Sequence, residues 1–396
     1  MEELLLTSNT LINKVDNTLV RNAPHGINYQ WRLNGLVGAR GTGKTTRMLK
    51  ELKMVQSKGH RVLYASLDDF YFATHSPVEL ARQFAADGGE YLYFDEVHKF
   101  ADWGMHIKNI YDTEDRLHVL FSGSSVLQIN SSGGDLSRRA LMYTMPGLSF
   151  REYLLLKHKI SLPVYTLEDI VNKHTEIAGE ILAQIRPLQY FGQYLEQGYY
   201  PFFLEKNRNY VQSLSQIVKY ILEVDLSTIS GYQGGQLHKL MKILLTVAQN
   251  PPFDFNATRV AQAVGLNRNT LLHYLYYLKQ AGLITHLNYP NTSISNLTKP
   301  DKMLLHNPSL YHCLGQGERQ VGSVRESFWV SQVAYQNEIF LHSEADFQVQ
   351  DLVFEIGGRN KKVKPGKKAV TIYTIKDGIE MGAGNTIPLY LFGFLY

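Results

Sequence analysis

One cysteine, Cys313, in 396 residues leaves no partner for an intrachain disulfide and excludes a multi-cysteine zinc site. An inert small side chain is its plain reading. Charge of one sign is also lacking: 40 Lys and Arg face 36 Asp and Glu, a balance of +4. The chain is therefore not coated with cationic surface, and any nucleic-acid contact has to come from local patches. Long apolar runs are missing as well. The longest, Ile387 to Tyr396, is about half a membrane span and is expected to be a buried terminal strand. Leu4 to Leu6, beside Glu2 and Glu3, is too short for a signal-peptide core. No repeat of fixed period and no low-complexity tract occurs. What is present is 44% apolar and 19% charged, which buries enough surface to fold at about 150 residues per domain. The expectation is a soluble, cytoplasmic protein of two or three domains with no membrane partner.

Periodicity divides the chain into three. From Leu33 to about Tyr153, short β-like runs (Gly35 to Val37, Val62 to Ala65, Tyr91 to Phe94, Leu117 to Phe121) alternate with helix-length segments, which predicts a parallel sheet with crossover helices. From Thr166 to Leu283 apolar residues recur at helical spacing, as in Ile177 with Ile181. After Pro290, alternation returns in Asp346 to Ile356 and Ala369 to Ile375, and Ile387 to Phe394 closes an α+β segment. The reading is a multidomain α/β protein: a P-loop domain over 1–160, a helical region over 161–290 and an α+β domain over 291–396.

Gly38-Ala39-Arg40-Gly41-Thr42-Gly43-Lys44-Thr45 matches G-x-x-x-x-G-K-[ST] between a strand and a helix that starts with Thr45 and Thr46. Glycines let backbone N–H groups curl around phosphate oxygens at a helix N-terminus, where the dipole favours anions. Lys44 supplies the ammonium for the outer phosphates, and Thr45 a hydroxyl for Mg²⁺. The buried run Tyr91 to Phe94 delivers Asp95 and Glu96. Asp95 is the expected Mg²⁺ partner through water; Glu96, aimed to the other side by strand alternation, is the expected base for an attacking water. The plainer alternative is a surface acidic pair. Ser122-Gly-Ser124-Ser125 ends a further strand, either as hydroxyls toward the outer phosphate, with Ser124 a candidate ligand, or as a Ser and Gly turn. His98 is open between a group near that phosphate and a polar strand end; Trp103 is expected to be a packing anchor.

The series P-loop, Asp95-Glu-Val-His98-Lys, Trp103, Ser122-Gly-Ser-Ser125, Leu136-Ser-Arg-Arg139-Ala, Pro146-Gly-Leu-Ser-Phe150-Arg-Glu152-Tyr and Tyr194-Leu-Glu-Gln-Gly198-Tyr-Tyr-Pro201 resembles the prokaryotic AAA+ superfamily ATPases that carry a C-terminal domain of unknown function. The resemblance covers most of the chain. It implies ATP with Mg²⁺ as cofactor, and an arginine sensor or finger on the phosphate of the protein's own or a neighbour's nucleotide. Arg139 matches the family's arginine, while Arg138 stands where the family has Gly, so either can be that finger.

Phe255 to Ile284 has the layout of a winged helix-turn-helix, with Gly265 in the turn, Asn267 or Asn269 as cap and Gly282 before a wing strand. Its second helix offers Arg268, Asn269, Thr270, His273 and Lys279, and also Tyr274, Tyr276 and Tyr277. DNA contact and a protein or inter-domain interface, including a homo-oligomer, both stay open. Residues 206–290 hold eight Lys or Arg against three Asp or Glu, a local excess of five.

In the last segment, Glu326 on a helix, Asp346 opening one strand and Glu355 ending the next resemble the restriction-endonuclease-like fold, whose motif ends in Glu-x-Lys. Two carboxylates hold a metal that activates water there, and a lysine positions that water. Gly357 stands in the lysine's place, so Lys361 or Lys362 has to reach back; otherwise the site is degenerate. The Arg359 to Lys368 loop holds six basic residues, either to track a phosphate backbone or as a solvated hairpin loop. The functional expectation is an ATP-hydrolysing switch acting on DNA or a protein partner. The alternatives are a nucleotide-gated metal-dependent nuclease and a non-hydrolysing DNA-binding regulator.

Overall fold

The computed structural model describes residues 1–16, 21, 23–24, 26–28, 30–123, 136–205, 209–226, 237–249, 256–290, 300–315, 320–362 and 370–396. They form two compact units, Met1–Gly147 and Leu148–Tyr396.

The first unit is built on strands β1 (Leu33–Val37), β2 (Val62–Ser66), β3 (Tyr91–Asp95), β4 (His118–Gly123) and β5 (Leu141–Thr144), with helices α1 (Glu2–Lys14), α2 (Lys44–Ser57), α3 (Pro77–Ala86) and α4 (Trp103–Thr113). The sheet order is β2-β3-β4-β1-β5, and every neighbouring pair is parallel. Helices cover both faces, which is why the strands read as nearly unbroken apolar runs. Alternate residues part to opposite sides. Val62, Tyr64, Tyr93 and Leu120 pack with Met48, Leu49 and Leu52 of α2. Leu63, Leu92, Phe94, Val119 and Phe121 pack with Leu80 and Phe84 of α3 and Ile107 of α4. Trp103 is a packing anchor, its ring 5.5 Å from that of Phe121. β1 lies between β4 and β5, so the crevice that open parallel sheets offer to ligands falls at its C-terminal end.

The second unit holds helices Phe150–His158, Leu167–Leu182, Leu188–Gln197, Tyr210–Tyr220 and Leu237–Gln249. Ser149 caps the first through a reciprocal pair with Glu152, worth about 1 kcal/mol in such caps. Buried Ser149 and Arg151 both donate to the Tyr396 carbonyl, which is why this helix clusters with the C-terminal segment rather than with the P-loop unit. The conspicuous Tyr194 and Gly198 are also structural. The Tyr194 hydroxyl donates to Leu148 O at 2.7 Å, and a Cβ on Gly198 would lie 2.7 Å from Tyr194 Cα.

Next come helices Ala257–Val264 and Arg268–Gln280, joined through Gly265 in the left-handed region (φ 69°). Asn267, not Asn269, caps the second by accepting from Thr270 N–H. An antiparallel ladder of β6 (Ile284–Leu287) and β7 (Lys302–Leu305) follows. After helices Pro308–Leu314 and Val321–Val333 comes a second five-stranded sheet, ordered β12-β11-β10-β9-β8, with strands β8 (Phe340–Leu341), β9 (Phe347–Val349), β10 (Leu352–Gly357), β11 (Ile372–Lys376) and β12 (Thr386–Pro388). β8, β9 and β10 are antiparallel neighbours; β10, β11 and β12 are parallel. The expected terminal strand Ile387 to Phe394 is corrected: only Thr386–Pro388 is a strand, and Leu389–Phe394 is a buried 3₁₀ helix. Pro388 has no N–H to continue a ladder, and a Cβ on Gly393 would lie 2.4 Å from Phe150 Cβ.

Candidate nucleotide site and C-terminal carboxylate cluster

The loop of residues 38–43 leaves β1 and enters α2. Gly41 and Gly43 take positive φ of 84° and 95°, a region where side chains other than Gly are strained. A Cβ on Gly38 would lie 2.5 Å from Met145 O. Lys44 is 5% exposed, and its Nζ donates to Gly38 O at 2.9 Å and Ala39 O at 3.1 Å, so the ammonium lies on the loop that motif assigns to phosphates. Thr42 Oγ1 closes the loop on Ala39 O, and Thr46 is exposed beyond it. Arg21, which lies in no motif, braces the loop: its guanidinium donates to Thr42 O and to Pro146 and Gly147 carbonyls.

Asp95, 2% exposed, ends β3 beside this loop. Its Oδ2 accepts from Thr45 Oγ1 at 2.6 Å and from the Tyr64 hydroxyl at 2.8 Å. Its Oδ1 accepts from Ser122 Oγ and from Glu96 N–H. Burial, then the Asp95 charge, raise the Tyr64 hydroxyl far above its ordinary value, so it stays a donor. The motif expects Thr45 and Asp95 at one magnesium ion, and here the two side chains meet directly. Tyr64 was missed because its place in β2 reads as core, and Ser122 meets the carboxylate, which answers the hydroxyl question for that residue. Ser124 and Ser125 lie outside the described residues.

Glu96 is not aimed by strand alternation as expected. The strand ends at Asp95, and Glu96 itself takes the left-handed conformation, φ 51° and ψ 40°, of the kind that clusters at functional sites. Its Oε2 lies 3.3 Å from Nε2 of His98, whose side chain is 1% exposed. Burial, then Lys99, Lys44 and Arg40, push the His98 imidazole down to about 3. The pair is thus a carboxylate and a neutral ring.

Arg139 stands elsewhere. Its Nε and Nη2 fork onto both carboxylate oxygens of Asp112 at 2.9 and 3.2 Å, near the end of α4, and its carbonyl accepts from Trp31 Nε1. Trp31 precedes β1, and Arg139 precedes β5, which runs parallel to β1 with Asn34 opposite Leu141. Arg139 therefore sits at the N-terminal edge of the sheet, a strand's length of about 16 Å from the loop after Val37. In this structure Arg139 thus lies across the sheet from its own P-loop. Arg138 is exposed on the same turn.

In the second unit the distant acidic residues come within electrostatic range of one another. Asp346 Oδ2 accepts from Ile356 N–H at 2.7 Å, and Lys361 Nζ lies 2.7 Å from Glu355 Oε1. Lys302 Nζ lies 2.8 Å from Glu326 Oε2. Burial raises Glu326, against the opposing charge of Lys302 and with that of Asp346. Burial also raises Asp346, with a smaller push from Glu355. Lys361, not Lys362, reaches back: a Cβ on Gly357 would lie 2.6 Å from Lys361 Cγ and Cδ, so the lysine's stem fills the volume over Gly357. Lys362 is exposed, and most of the basic loop, residues 363–369, lies outside the described residues. Among the described residues no three of His, Cys, Asp or Glu stand close enough together to hold a metal ion.

Residues 30–154 match the family described as AAA domain. All five parallel strands and the loop after β1 fall within the matched residues. Residues 188–320 match a family described as Domain of unknown function (DUF8612). The chain is 25% identical over 398 residues to an uncharacterized protein, MJ1637, of Methanocaldococcus jannaschii, covering 91% of this chain and 84% of that one. Solved structures with some likeness include AMPPCP-bound DnaA from Aquifex aeolicus (14% identity, TM-score 0.26, 69% of this chain and 86% of that) and PCH-2 of C. elegans (12%, 0.24, 70% and 68%). These likenesses are too loose to bear on fold or function. Among the described residues no helix is long and apolar enough to cross a membrane.

Proposed function

We propose that the chain is an ATP-binding and ATP-hydrolysing P-loop switch, acting on DNA or a protein partner. The observation that carries this is Asp95: one buried carboxylate joined to the P-loop hydroxyl Thr45 while Lys44 rests on the loop's own carbonyls. The donor set fits a magnesium nucleotide; the metal, when bound, would supply positive charge against the phosphates. Loop N–H groups from Gly41 to Thr45 bind phosphate oxygens, Lys44 neutralises them and Thr45 offers a hard oxygen ligand. Asp95, fixed by Tyr64 and Ser122, orients Thr45 and would hold the metal through water. Glu96 takes the proton of the attacking water. Arg139, held by Asp112 away from its own P-loop, serves a neighbour's nucleotide. Lys44→Ala is expected to weaken ATP binding by about tenfold or more. Glu96→Gln is expected to keep binding and lose turnover on the order of a hundredfold or more. Fluorescent-nucleotide binding and phosphate release measure the two; undiminished turnover in both variants would refute the reading.

For the partner, we read the helix pair and β6–β7 ladder as a winged helix-turn-helix. Arg268, Asn269, His273, Tyr276 and Lys279 are exposed on its second helix, whereas Tyr274 turns into the core. The domain division near residue 290 belongs to the same reading, with an α+β domain after the wing.

A second reading is favoured by Lys361. Glu326, Asp346 and Glu355 with a lysine at Glu355 are the residue types of a metal-dependent phosphodiesterase, although among the described residues no three such groups stand close enough together to hold Mg²⁺ or Mn²⁺. Plasmid cleavage with Mn²⁺ and ATP is expected to vanish in Asp346→Ala. Cleavage indifferent to that substitution rules the nuclease reading out.

A further inference from the structure

The carboxylate of an aspartate turns easily about its last bond, and its two oxygens are then interchangeable. Asp95 is denied that freedom. Side-chain donors from α2, β2 and β4 reach it, and each oxygen has its own pair. Thr45 Oγ1 and the Tyr64 hydroxyl donate to Oδ2, at 2.6 and 2.8 Å. Ser122 Oγ donates to Oδ1, as does the N–H of Glu96 at 3.0 Å.

The sheet fixes this assignment. Tyr64 stands two residues before Ser66, the register partner of Asp95 on β2, and therefore on the same face. A long side chain spans that diagonal. Its ring packs with Met48, Leu49 and Leu52 of α2, the helix that carries Thr45 in its first turn. Ser122 flanks Asp95 from the other side, on β4, and is fully buried. The N–H of Glu96 also comes within 3.4 Å of Ser122 Oγ. Two acceptors that are bonded to each other thus hold the backbone of Glu96, and a residue other than glycine at φ 51° persists only where its surroundings fix it.

We propose that the two oxygens of Asp95 have separate tasks, Oδ2 serving the Thr45 hydroxyl and the metal beside it and Oδ1 serving the backbone of Glu96, with Tyr64 and Ser122 as the positioning residues of the two sides. This rests on the ATPase reading and adds a division of labour to it. Tyr64 keeps Oδ2 turned to Thr45. The Thr45 hydroxyl then goes on donating to Asp95 and leaves its oxygen lone pairs for a hard cation. Ser122 keeps Oδ1 turned to the Glu96 N–H, so the turn that aims the base is set before substrate arrives.

The test compares wild type, Tyr64→Phe and Ser122→Ala in the full chain, each variant lacking one hydroxyl. Fluorescent-nucleotide affinity is measured with Mn²⁺ and with EDTA, bound Mn²⁺ is followed through the electron paramagnetic resonance of the free ion, and phosphate release gives kcat and KM. Tyr64→Phe is expected to lose about tenfold of the metal-dependent gain in affinity and to match wild type in EDTA. Ser122→Ala is expected to keep that gain and to lose about tenfold in kcat at unchanged KM. Any other distribution, whether both readouts move together, neither moves or the two roles are exchanged, overturns the division. A wild type without a metal-dependent gain, or Lys44→Ala with undiminished affinity, overturns the ATPase reading itself. Ser122→Cys, which keeps the volume with only a weak donor, is read by the same criteria if Ser122→Ala is too unstable.

Discussion

Burial and the neighbouring positive charges of Lys99, Lys44 and Arg40 keep the His98 imidazole neutral down to about pH 3, whereas an unfolded chain protonates its histidines near 6.5. Below that value the unfolded state takes up a proton that the folded state refuses. The contribution of His98 to stability is therefore whole above about pH 6.5 and declines as pH falls toward 3. The urea midpoint is expected to drop between pH 6.5 and 4, and to drop less steeply in His98→Asn; equal slopes would mean that the ring is not held neutral. At this scale the sequence revealed partners that lie within one motif and hid those that do not. Thr45 and Asp95 were legible because their chemistry comes with the P-loop. Tyr64 was not, since a tyrosine within an apolar strand looks like packing until its hydroxyl is seen on Asp95. The left-handed turn at Glu96 has no signature in composition at all.

Strands buried on both faces carry a strong signal, and β1 to β4 fall within a few residues of where alternation put them. β5 escaped because Leu141, Met142 and Thr144 are exposed on an edge, and without a buried face there is no pattern to read. The position of Arg139 depends on that missed element. Once β5 pairs in parallel with β1, the residue before it has to lie across the sheet from the P-loop. Helix Arg268–Gln280 poses the converse problem, a legible element with an open task. If it meets DNA, replacing Arg268 and Lys279 by Ala should lower the slope of log affinity against log salt by about 2, near 0.9 per lost phosphate contact. A filter-binding series from low to moderate salt measures this, and an unchanged slope would move the helix to the protein-interface reading.

Across the whole chain, the division at Gly147 was hard to foresee, because the residues that decide it are far apart. Ser149 and Arg151 find their acceptor at Tyr396, a contact that no local pattern contains. The same holds for the carboxylate cluster, which the motif placed in three segments and the fold brings together with Lys302, a residue outside the motif. Gly357 and Lys361 share a single volume over β10. The two positions are therefore exclusive alternatives: a chain with a long side chain at 357 has no room for the lysine from 361, and a chain with Gly there does. Proteins that differ in this way would align as one catalytic and one broken copy, yet carry an ammonium at the same point in space. Descent can thus move a functional group four places along the chain without moving it in the molecule.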